Sequence, residues 1–135
     1  MGFPEDLSGH VIKGYELRRR VSRGKFGVVY HAFQPHVNRD VAIKVIQPEY
    51  ANHPEFVRSF ETEAQLIARL EHLHIVPLYD YWREPDRAFL VMRWLRGGSL
   101  RDSLVEQGPW TVGATARMLD QVASALAMAH RRGIT

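Results

Sequence analysis

The hexapeptide Val41-Ala42-Ile43-Lys44-Val45-Ile46 narrows the choice of fold more than any other stretch of the chain. Its β-branched residues favour extended backbone. In a strand, Val41, Ile43 and Val45 share one face, and Ala42, Lys44 and Ile46 share the other. A solvated sheet face is the ordinary place for a lysine, but Ala42 and Ile46 on either side argue for a covered one. An ammonium there needs a counter-charge.

The rest of the chain supplies partners for this strand. Tyr15, Leu17 and Val21 suggest a first strand. Val28–Phe33 suggests a second, joined to it by Ser22-Arg23-Gly24-Lys25-Phe26-Gly27. Val41–Ile46 is then the third, after a connection marked by Pro35 and Asn38. Val76–Trp82 and Ala88–Leu95 make two more around the Glu84-Pro85-Asp86 turn. Between the third and fourth strands, Asn52 is placed as a helix N-cap, with Pro54 in the first turn and Glu55 completing a capping box. That helix is expected to run to about Leu73, with Phe56, Phe60, Ala64, Ile67 and Leu70 on one stripe. Gly97-Gly98 breaks the chain, and a short helix follows near Ser99–Glu106. Gly108-Pro109 breaks it again, and Thr111 opens a long helix ended by Arg131, Arg132 and Gly133. Five strands with one inserted helix, followed by helices alone, give an α+β fold with segregated parts.

Composition excludes several classes. The 135 residues are 45% apolar and 24% charged, which suits one compact domain with its own core. There is no cysteine, hence no disulfide framework and no thiolate metal site, which fits a reducing, cytoplasmic location. No apolar run is long enough for a membrane span, and the first residues lack an export pattern. The net charge of +3 is mild and the arginines are scattered, so a nucleic-acid surface is not expected. His72-x-His74 has no third ligand nearby, so no metal site is assigned. Neither His-Glu-x-x-His nor Gly-x-Ser-x-Gly occurs.

Two further features belong with Lys44. Gly24 and Gly27 let backbone N–H groups approach an anion closely, although an ordinary hairpin turn would use glycines too. A dinucleotide fingerprint or a P-loop would continue into a helix, whereas Val28-Val29-Tyr30 continues as a strand. Glu63 falls on the apolar stripe of the inserted helix, where a carboxylate is costly unless paired. A lysine and a glutamate, each misplaced on the apolar face of consecutive elements, are explained together if they meet.

With these residues in view, the sequence resembles a protein kinase. Ser22-Arg23-Gly24-Lys25-Phe26-Gly27-Val28-Val29 resembles the family's glycine-rich loop, and its Val-Ala-Ile-Lys motif stands intact at residues 41–44. Glu63 matches the glutamate of the helix that the family calls αC. His72–Val76 resembles the segment after that helix, and Leu90–Leu95 resembles the last strand of the N-lobe and the hinge. The texture is most similar to bacterial kinases of the eukaryotic type, which phosphorylate serine and threonine.

The resemblance implies a kinase N-lobe, with a five-stranded antiparallel sheet plus αC, over residues 15–95, after a leader at 1–14. Residues 96–135 would be the hinge exit and first helices of a truncated C-lobe. Lys44 would hold the α- and β-phosphates of ATP and be held by Glu63. Backbone around Ser22, Gly24, Lys25, Phe26 and Gly27 would cover the phosphates. Val21, Val29 and Ala42 would enclose the adenine, with Met92 as gatekeeper. The carbonyl of Arg93 and the amide of Leu95 would bond the adenine edge, and Ser99 would face the ribose. Mg²⁺ would accompany ATP, with its ligands outside this chain. Ser22 stands where the family's first loop glycine is common; a left-handed backbone there would cost about 1–2 kcal/mol. No His-Arg-Asp occurs in the 135 residues, so the catalytic aspartate would lie beyond them and this portion alone would be inactive. The alternative is a pseudokinase or regulatory nucleotide-binding module. The partners implied are ATP and the protein substrate of the whole kinase. Met118, Leu119, Val122, Leu126 and Ala129 would leave an apolar stripe on the last helix, open to self-association through residues 111–132.

Overall fold

The computed structural model describes residues 5–25 and 27–135. Its framework is one antiparallel sheet of six strands: β1 (Val11–Ile12), β2 (Tyr15–Arg23), β3 (Gly27–Gln34), β4 (Arg39–Ile46), β5 (Leu78–Glu84) and β6 (Arg87–Arg93). Their spatial order is β1-β2-β3-β4-β6-β5, so the Val41–Ile46 strand lies in the interior of the sheet. The expected five strands are therefore six. The addition, β1, is two residues pairing with Tyr15 and Glu16, inside the segment expected to be a leader. Leu7, from the same segment, is buried in the core, and its amide donates to the Tyr30 hydroxyl at 3.1 Å. The last two strands begin at Leu78 and end at Arg93, each two residues inside the expected limit.

Alternation along the strands sorts the sheet's two faces. One carries Leu17, Tyr30, Val41, Ile43, Phe89 and Val91, all less than 2% exposed. Each such side chain contributes about 1.5–3 kcal/mol of hydrophobic stabilisation before entropy is counted. Tyr15 on β2 stacks on Trp82 of β5, with ring centroids 5.9 Å apart, and donates a hydrogen bond to Asp80 at 3.2 Å. Strands near opposite ends of the sheet order thus meet through side chains, so the sheet curls around this core.

The other face is covered at one end only. There a short helix, α1 (Pro48–Ala51), and a longer one, α2 (Pro54–Ala68), pack Ala51 and Phe60 against Ile46 and Ala88. The expected cap at Asn52 is corrected: Asn52 ends α1, and His53 is the N-cap of α2, with no side-chain capping bond. Pro54 fixes the reason, since proline suits the first helical position and makes the residue before it the cap. The helix ends at Ala68 rather than Leu73, because Arg69 closes it as C-cap.

After β6 the chain forms α3 (Leu100–Gln107) and α4 (Val112–Arg131). Ser99 caps α3 in a reciprocal capping box with Asp102, and Thr111 caps α4 by accepting from the Ala114 amide at 3.1 Å. Ala125 and Ala129 are the buried residues of α4, whereas Leu119, Val122 and Leu126 remain exposed.

Candidate functional site: a glycine-edged cleft around Lys44

The candidate site is the part of the second sheet face that α2 leaves uncovered. Directly opposed residues of antiparallel strands point to the same side. The register pairs Val29 with Lys44, His31 with Ala42, Ala42 with Met92, and Lys44 with Leu90. Val29, Ala42, Lys44 and Met92 therefore line one surface, and all four are partly buried. Ala42, the smallest of the four side chains, leaves room at the centre of this surface.

The β2–β3 hairpin edges this surface. Gly24 donates its amide to the Gly27 carbonyl at 2.9 Å, closing the turn. Gly27 is required by close approach: a Cβ there would run into the backbone carbonyl of Val45. Neither Gly24 nor Gly27 uses a positive φ, so their value lies in access rather than handedness. Ser22 sits in β2 opposite Val29 and is not in the left-handed region either, so the anticipated backbone cost does not arise. The register shift between Arg20 and Ser22 leaves Val21 without a cross-strand partner. Val21, Ser22, Gly24 and Lys25 are exposed, and Phe26 lies outside the described residues.

Arg93 is the last residue of the ladder, opposite Val41, and its amide donates to the Pro77 carbonyl at 3.2 Å. Leu95 follows beyond the ladder and is 54% exposed. Ser99 accepts from the Asp102 amide at 3.1 Å, and its own amide donates to the Asp102 carboxylate at 2.9 Å.

Lys44 and Glu63 are not brought together. Among the described residues no ion pair joins them, which corrects the expected contact for this structure. Lys44 opens into a cavity of about 510 Å³ shared with Ile46, Tyr50, His53, Glu55, Phe56 and Ser59. Glu63 is exposed and borders a separate cavity of about 220 Å³ with Leu66, Ile67 and residues Gly133, Ile134 and Thr135. Glu55, Ser59 and Glu63 are spaced four apart and so form one ridge of α2. Glu63 is one helical turn beyond Ser59 on that ridge and lines a different cavity. Glu55, which the sequence offered only as part of a cap, is the acidic group that shares the cavity with Lys44; no spacing rule singles it out.

A family model described as "Protein kinase domain" matches residues 15–135. The chain belongs to the protein kinase family. Among its relatives are two bacterial serine/threonine-protein kinases. PknD of Mycobacterium tuberculosis is 38% identical over 121 residues, covering 90% of this chain and 18% of that protein. PrkC of Bacillus subtilis is 36% identical over 129 residues, covering 95% and 20%. The crystal structure of the Mycobacterium tuberculosis PknI kinase domain superposes with a TM-score of 0.81 at 30% identity, covering 93% of this chain and 52% of that one. The chain therefore spans about a fifth of these two curated relatives and half of a solved kinase domain. The curled sheet with α2 is the kinase N-lobe, and α3 and α4 belong to part of a C-lobe. No helix of the described residues is long and apolar enough to cross a membrane.

Proposed function

We propose that this kinase chain is the ATP-binding portion of a serine/threonine protein kinase, which transfers the γ-phosphate of ATP to protein serine or threonine. The single observation that carries the reading is the sheet face holding Lys44 between Val29 and Leu90, next to Ala42 and Met92, under the edge that Gly27 keeps narrow. Residues 15–95 form the N-lobe with its hinge, and residues 96–135 the start of the C-lobe. Val21, Val29 and Ala42 pack on the adenine, and Met92 closes the back of its pocket. The backbone of Arg93 and Leu95 bonds the adenine edge. Ser99 faces the ribose, and Lys44 neutralises the phosphates beneath the backbone of residues 22–25 and Gly27. A structure of Rad53 in complex with AMP-PNP shares the fold, with a TM-score of 0.79 at 23% identity.

Nucleotide binding brings Glu63 to Lys44 through a movement of α2. Among the described residues no three metal-ligating side chains converge, so these residues do not fit a Mg²⁺ site, and no transfer step is assigned to them. The chain alone is inactive in phosphotransfer, and the whole protein works in the cytoplasm. The apolar side chains Leu119, Val122 and Leu126 on α4 favour self-association of the chain through residues 111–132.

The test is calorimetric titration with AMP-PNP and Mg²⁺. Wild-type protein binds and Lys44→Met does not; equal binding by both overturns the reading. A second reading, a pseudokinase that uses the cleft for recognition, is favoured by the separation of Lys44 from Glu63. It predicts nucleotide binding with no phosphotransfer by the full-length protein.

A further inference from the structure

The segment that leaves the ladder at Arg93 and enters α3 at Leu100 is held against the sheet by side chains. Two of its residues reach back to the same spot on β3 and β4. Trp94 stacks on His31, with ring centroids 4.2 Å apart and planes inclined by 25°. Arg96 places its guanidinium 3.3 Å from Asp40 Oδ2. His31 and Asp40 are themselves joined, with Nε2 2.8 Å from Oδ1. A carboxylate has no proton to give, so Nε2 is the protonated ring nitrogen and donates. Asp40 therefore spends one oxygen on the sheet's histidine and the other on the linker's arginine. The ladder explains the convergence. His31 opposes Ala42, and Asp40, two residues before Ala42, lies on the diagonal within reach of a ring. Trp94, next after Arg93, extends the row that includes Met92.

We propose that His31 and Asp40 are positioning residues for the adenine-binding backbone: they clamp Trp94 and Arg96 and so fix where the Arg93 carbonyl and the Leu95 amide stand. The inference rests on the nucleotide reading above. Neither residue touches the nucleotide. Each acts through the linker, so a weakened clamp costs the base-edge contacts and leaves the phosphate contacts of Lys44 intact. An aromatic stack of this kind supports an effect of about three- to tenfold on binding.

The test uses the 135-residue chain labelled with 5-fluorotryptophan, with the Trp94 resonance assigned from Trp94→Phe. In His31→Ala the Trp94 signal shifts and becomes more solvent-sensitive without nucleotide, while the Trp82 and Trp110 signals hold. Adenosine affinity falls about three- to tenfold, and tripolyphosphate affinity is unchanged. His31→Phe, which keeps a ring to stack on, restores most of the adenosine affinity. Arg96→Ala removes only an exposed contact and serves if His31→Ala does not fold; it weakens adenosine about twofold by the usual worth of an exposed pair. An unmoved Trp94 resonance, or adenosine and tripolyphosphate weakened together, overturns the inference alone. Wild-type protein that binds neither probe overturns the nucleotide reading and this inference with it.

Discussion

The strand-borne and helix-borne halves of the cleft are held by different forces. Val29, Ala42, Lys44 and Met92 sit in three adjoining ladders, β3–β4, β4–β6 and β6–β5, whose hydrogen bonds fix each residue against its neighbours. Glu63 depends on α2, which buries only Phe60 and Ala64. Helix α2 can therefore slide over a small apolar patch without breaking its own backbone bonds, whereas no strand residue can shift without breaking several. The strand-borne half of the cleft is fixed by its ladders, and the helix-borne half rests on a small packed patch.

The sharpest way to break this comparison is to weigh the two packing patches. Phe89→Ala, in the fully buried core, is expected to cost about 3–5 kcal/mol in denaturant unfolding. Phe60→Ala is expected to cost less, about 2–3 kcal/mol, because α2 can settle into the gap. Equal costs would mean that the helix is as firmly seated as the sheet.

Gly27→Ala forces a methyl group into the Val45 carbonyl, between two strands that cannot part. A loss of about 1–3 kcal/mol is expected, read from the same unfolding curves. An unchanged midpoint would show that the hairpin edge yields as readily as α2 does.

Glu63→Gln is expected to change the stability of the nucleotide-free chain by less than about 0.5 kcal/mol, since the side chain is exposed and not paired with Lys44. Titration with AMP-PNP then separates the states. Weaker binding by the variant means that the pair forms on the ligand, and unchanged binding means that α2 stays where it is.

The smallest effect is local to α3. Hydrogen bonds from the Ser99 amide and hydroxyl hold the Asp102 carboxyl below its ordinary value of 3.8. A depressed folded value means that this contribution is fully present above about pH 4 and is lost as pH falls through the folded value. Carbon-detected titration of Asp102 should show the depressed midpoint, and Ser99→Ala should return it towards 3.8. A normal midpoint in the wild type would dissolve the capping box.

What was legible in the sequence followed from alternation and from caps with few competitors. Val41–Ile46 reads correctly on both faces because period two leaves no choice of side once Ile43 is buried. Thr111 reads correctly because it stands alone before its helix. Asn52 misled because a good capping residue stood two places before a proline that sets the cap by geometry. Periodicity put Glu63 on the apolar stripe, but it carries no information about which neighbour an exposed side chain meets, so its separation from Lys44 was not legible. The short β1 pair leaves no periodic signal at all. His31, Asp40, Trp94 and Arg96 are far apart in sequence, and only the ladder register brings them to one place.

Leu7 has a practical consequence for the limits of this folding unit. The family model begins at residue 15, yet Leu7 fills part of the interior, and the Glu5 carboxylate reaches Arg87 at 2.7 Å across the start of β6. A chain trimmed at the family's edge would expose a hole beside Tyr30. For this molecule, the boundary drawn by the family model lies inside the boundary drawn by cohesion.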